Sequence, residues 1–80
     1  MITLDTRDLE HPYPLEMAVD AFKNLKNNEI VHMIHRKEPL PLFEIIVKNG
    51  GRYLCHSQND ELFHIYFTKS STIELEHIDV

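Results

Sequence analysis

The chain has little sulfur chemistry to work with: one cysteine, Cys55, among 80 residues. A lone thiol makes no internal disulfide and no thiol-rich zinc site, which points to a reducing compartment and a fold held by packing alone. Tryptophan is absent, and the only glycines are the adjacent Gly50 and Gly51, a helix stop rather than a phosphate cradle. No apolar run approaches the roughly 20 residues of a membrane helix. Met1 to Asp5 also lacks the basic segment and apolar stretch of a secretory leader, so the expectation is a cytoplasmic protein without a membrane partner. Basic residues are scarce as well, eight against thirteen acids, for a net charge of -5. That balance repels phosphate backbones, and Arg36-Lys37 is too short a basic run to reverse it. Nucleic acid is therefore not an expected partner.

What is present describes one small ordered domain, since 80 residues with 42% apolar content can fill one core but not two. Ile2 and Leu4 alternate with polar residues as in a short strand ending at Asp5. Pro12 and Pro14 suit only the first turn of a helix. Leu15, Ala18, Val19, Phe22 and Leu25 then recur at helical spacing, predicting a helix to about Lys26 that stops at Asn27-Asn28. Glu29 to Arg36 is too short for a typical helix and reads as a strand buried on both faces. Pro39 and Pro41 announce a second helix with Leu42, Ile45 and Ile46 inward, flanked by Phe43 and Val47, and ended by Gly50-Gly51. Arg52 to Ser57 and Leu62 to Lys69 read as a hairpin around Gln58-Asn59-Asp60-Glu61, with Phe63, Ile65 and Phe67 on one face and Leu62, His64 and Tyr66 on the other. The order β-α-β-α-β-β predicts an α/β chain of the α+β two-layer sandwich type: a four-stranded mixed sheet with both helices on one face. Residues 1–69 form the domain, and the tail 70–80 is left undecided between a strand, a frayed helix and disorder.

Leu4-Asp5, Leu9 and then His11-Pro12-Tyr13-Pro14-Leu15 resemble the opening signature of the TusA-like (SirA-like) sulfur-carrier family, which reads Leu-Asp, Gly-Leu, then Cys-Pro-x-Pro and an apolar residue. The likeness continues through Glu38-Pro39, Gly51 and the aromatic-rich stretch Phe63 to Lys69, covering residues 3 to 69. It implies the same sandwich that the apolar pattern predicts. It departs from the family at two points: Asp8 stands where the signature has Gly, and His11 stands where it has the cysteine that carries the persulfide. An imidazole cannot hold a sulfane sulfur through a disulfide-type bond. The chain is thus more similar to a branch without the motif cysteine, whose Leu-Asp-x-Arg start and His-Asp-Arg-Glu-Pro stretch resemble Leu4 to Arg7 and His35 to Pro39. The family supplies no reaction for such a chain.

The residues that invite a functional reading are few. His11 precedes a helix, where unpaired N–H groups and the dipole favour an anion and a neutral imidazole; Asp5, Arg7 and Glu10 should lie near it, unless Asp5 and Arg7 are simply a loop ion pair. Asp5, Arg7, His11, His35, Lys37 and Glu38 form the expected binding surface for another protein. No catalytic residue and no cofactor are implied. His32 and His35 diverge to opposite faces of a strand, but if the last strand lies beside strand two, as the resemblance implies, His32 and His64 share the outer face, with His56 as a third member if its parity is right. That set is the metal alternative, and metal or haem binding through a histidine is the corresponding functional alternative. Cys55 should face inward with Tyr53 and behave as a small hydrophobe. The further alternative is a sulfur-transfer accessory that recruits it. Ile30, Ile34, Leu62 and Tyr66 leave an apolar patch on the outer sheet face, which offers a route to a homodimer unless Ile73, Leu75 and Ile78 of the tail cover it.

Overall fold

The computed structural model describes residues 1–75. Its elements follow the expected order: β1 (Ile2–Asp5), α1 (Tyr13–Lys23), β2 (Val31–His35), α2 (Leu40–Lys48), β3 (Arg52–Asn59) and β4 (Leu62–Thr68). The strands form one sheet in the order β1-β2-β4-β3. β1 runs parallel to β2, while β4 is antiparallel to both β2 and β3. Register puts Leu4, Met33, Ile65 and Cys55 in one row across the sheet, and Val31, Phe67 and Tyr53 in the next. These rows face the helices. Val31, Met33, Ile65 and Phe67 are fully buried and join Ala18 and Phe22 of α1 and Leu42, Phe43 and Ile46 of α2 in a single core.

Element ends depart from the pattern reading for local reasons. Helix α1 stops at Lys23, short of Lys26, because Asn24 turns both its backbone N–H and its side-chain amide onto the Asp20 carbonyl. That capping competes with the next helical turn. Leu25 is still buried, as expected, but from the loop. In α2 the buried residues are Leu42, Phe43 and Ile46. Ile45, expected inward, lines a shallow cleft with Leu15 and Val19 between the helices, and Val47 is exposed. The rotation is set by Phe43, whose ring stacks on Tyr53 of the edge strand β3 at 4.0 Å and 5°. Strand β2 is trimmed to Val31–His35, and β4 stops at Thr68. Strand β3 runs on to Asn59 through a register shift between Ser57 and Asn59, tightening the turn to Asp60-Glu61. There Asn59 Oδ1 accepts the Glu61 N–H at 2.9 Å.

Gly50 ends α2 with φ of 79°, the left-handed cap that glycine adopts without steric cost. Gly51 serves a different need. A Cβ there would lie 2.5 and 2.7 Å from ring carbons of Phe22 and 2.8 Å from Ile46 Cγ2, so the two helices close over bare backbone. Beyond β4 the chain turns back, and the Arg52 guanidinium donates to the carbonyls of Ser70, at 3.2 Å, and Ile73. Leu75 is 2% exposed and Tyr66, on the outer face, 3%; part of the apolar patch expected to lie open is therefore covered by the chain itself. Ile78 lies outside the described residues.

Candidate functional site

The C-terminal ends of β1 and β2, the N-terminal ends of α1 and α2 and the β3–β4 turn all meet at one edge of the sandwich, as the parallel β1–β2 pair and the antiparallel β4 require. A groove of about 640 Å³ opens there. Leu9, Pro14, Leu15, Met33, Pro39 and Pro41 supply its apolar lining, and His11, His35, Arg36, Lys37 and the carboxylates Glu10, Glu38 and Glu61 its polar one. Four residues expected at a binding surface, His11, His35, Lys37 and Glu38, are thus brought together although 27 positions separate the first from the last.

The other two, Asp5 and Arg7, are not among the groove residues. Asp5 pairs in register with Ile34, on the opposite face of the sheet from Met33. Arg7 Nε and Nη2 donate to Asp5 Oδ1 and Oδ2 at 2.9 and 2.6 Å. The guanidinium holds the Asp5 carboxyl at about 2, below the usual carboxylate range, mainly through these hydrogen bonds. Both side chains are about half exposed, at 49% and 46%, so the two form a loop ion pair screened by water.

His35 is the most constrained polar group in the groove. Its Nδ1 lies 3.0 Å from Thr6 Oγ1, and the Thr6 hydroxyl has its single proton engaged with the Ile34 carbonyl at 2.8 Å. Thr6 therefore accepts, and His35 Nδ1 carries the donated proton. In the neutral ring that leaves Nε2 as an acceptor. Burial lowers the His35 pKa, hydrogen bonding to the Thr6 backbone opposes the shift, and the charges of Arg36 and Lys37 reinforce it. The balance favours the neutral ring of His35, a hydrogen-bond acceptor at Nε2 in a groove lined by both signs of charge. Thr6 is itself fully buried. Neither Thr6 nor Glu61 stands out in the sequence: Thr6 matters only once β1 and β2 are in register, and Glu61 only once the hairpin is placed at the same sheet edge.

The helix starts contribute less than expected. Tyr13 N–H donates to the Glu10 carbonyl and Glu16 N–H to Pro12, while Pro12 and Pro14 have no N–H to offer. In α2 the N–H groups of Leu40, Leu42 and Phe43 donate to Glu38 and Pro39, and Pro41 again has none. The prolines that start these helices remove some of the donors that an anion site would use, and several of the other first-turn N–H groups are engaged within the chain.

The remaining histidines lie where strand parity puts them. His32 and His35 diverge, His32 to the outer face. There His32 Nε2 meets His64 Nδ1 at 2.9 Å, and His56 is the register partner of His64. Among the described residues no group of three or more His, Cys, Asp or Glu side chains is placed to hold a metal ion. Cys55 shares the inward face with Tyr53, as expected, but is only partly buried and packs against the core. Burial, with the negative charge of Glu38, pushes its thiol pKa up, the opposite of what a nucleophilic thiolate requires.

Fold and groove together define a small β-α-β-α-β-β domain whose distinctive surface is the edge where both helices begin. No helix among the described residues is long and apolar enough to cross a membrane. Residues 3–69 match the family described as "Uncharacterized conserved protein (DUF2249)", and the chain belongs to that family. No curated protein and no solved structure matches the chain.

Proposed function

We propose that this is a TusA-like, non-enzymatic protein-binding domain that keeps a docking edge and has given up the carried sulfur. The observation that supports this reading is the gathering of His11, His35, Lys37 and Glu38 round one groove with a hydrophobic lining, at the end of the fold where the resemblance puts the family's functional cysteine. His11 occupies that position and cannot form a persulfide. Cys55 is a poor substitute, since burial and Glu38 disfavour its thiolate. A groove with an apolar lining and fixed polar groups suits an apolar side chain of a partner flanked by hydrogen-bonding backbone or charges. Pro14, Pro39 and Pro41 stiffen its walls, so little ordering entropy opposes docking.

The test is recovery of partners by pull-down with wild type, His11→Ala, Lys37→Glu and, as a control at the other end of α2, Lys48→Glu. The groove variants should lose the partner that wild type and the control retain. Retention of every partner by both groove variants would contradict this function.

A further inference from the structure

Outside the groove, a row of rings lies on the outer sheet face. Tyr66 stacks on His32 at 4.4 Å and 13°, His32 on His64 at 5.1 Å and 29°, and His56 stands 6.4 Å beyond His64. His64 Nε2 lies 2.8 Å from Gln58 Oε1. A carbonyl oxygen only accepts, so Nε2 is the protonated nitrogen and the Nδ1 lone pair of neutral His64 faces His32. His32 completes the contact by donating from Nε2. One ring is fixed by stacking and the other by an outer carbonyl partner, the support that metal-ligating imidazoles usually have.

We propose that His32 Nε2 and His64 Nδ1 form a two-imidazole chelate for one divalent ion of tetragonal preference, Cu²⁺ or Ni²⁺. Bonds of about 2.0–2.1 Å from nitrogens 2.9 Å apart enclose roughly 90° at the ion, the cis angle of square-planar or octahedral coordination. A tetrahedral ion such as Zn²⁺ needs the nitrogens roughly 3.4 Å apart. The lone-pair directions lie along the N···N line, so each ring must turn by about 45° toward an ion set off that line; the 90° class is the one reached with the nitrogens kept at their present spacing, and water fills the other positions. Binding also requires a proton shift: the His32 proton leaves Nε2 and a proton is taken up at Nδ1 through solvent, so the ring stays neutral while both lone pairs turn to the ion.

The experiment uses the tag-free full chain titrated with Cu²⁺ and with Ni²⁺ by calorimetry, and the electron paramagnetic resonance of the Cu²⁺ form. Wild type should bind one ion, with hyperfine structure from two imidazole nitrogens and Zn²⁺ bound more weakly than Ni²⁺. His32→Asn or His64→Asn should weaken binding at least about tenfold, and His56→Ala should change it by less than about threefold. Gln58 is exposed, so Gln58→Ala tests the site without threatening the fold; it should weaken binding by about tenfold through loss of orientation. Equal losses in His11→Ala, His56→Ala and His64→Asn, or wild-type affinity in both His32→Asn and Gln58→Ala, would overturn the assignment.

Discussion

His35 shows how one side chain acquires a defined state from its surroundings. Its Nδ1 proton goes to Thr6, whose own proton goes to the Ile34 carbonyl, and burial disfavours its cation. His32 is shifted in the same direction, again chiefly by burial. A histidine whose folded pKa lies below its unfolded value binds fewer protons when folded, so it favours the fold fully above the ordinary imidazole value of about 6.5. That contribution is lost as pH falls below this value. Urea denaturation should accordingly show lower stability at pH 5.5 than at pH 7.5. His35→Asn, whose amide can still donate to Thr6 but does not titrate, should flatten part of the difference. An unchanged pH dependence in this variant would show that His35 is not held neutral by the fold. Asp5 works in the same direction at lower pH: its depressed pKa helps the fold above the ordinary carboxylate value, and that help is lost as pH falls toward about 2.

At the scale of elements, the two glycines separate conformational freedom from space. Gly50 needs its positive φ but has nothing within 4 Å of an added Cβ, whereas Gly51 has no such φ and meets Phe22 and Ile46. Phe22 cannot retreat easily, being 3% exposed and in contact with Phe67 at 6.2 Å between ring centroids. Gly51→Ala should destabilise by about 2 kcal/mol through overpacking, lowering the melting temperature by roughly 10 °C for a domain of this size. Gly50→Asn should cost less, because asparagine tolerates the left-handed region. A Gly51→Ala variant melting with wild type would show that the helices do not close over this position. The pattern of apolar residues, with the prolines and glycines that punctuate it, made the six elements legible, whereas β2, apolar on both sides, takes its inward face from its place beside β4. Helix phase in α2 was not legible, since it depends on Tyr53 stacking from another element. The early end of α1 was missed because Asn24 competes through a local hydrogen bond that apolar periodicity does not register.

For the whole molecule, topology does what local sequence cannot. Parallel β1 and β2 place both helix starts at one edge, and the β3–β4 turn joins them there. His11, His35, Lys37 and Glu38 were readable as a surface from their motif positions, and the groove unites them. Asp5 and Arg7 were drawn into the same surface by proximity in sequence, but strand parity sends Asp5 to the other face. The outer face in turn carries the His32–His64 pair and the returning tail, so a second copy would find less open apolar surface there than an uncovered sheet offers. The most direct test is amide chemical-shift mapping of the labelled domain with its recovered partner. The account predicts perturbations concentrated at Leu9 to Leu15, His35 to Pro41 and Glu61, with β3 and the outer face little changed. Perturbations confined to the outer face, or centred on Cys55, would contradict it.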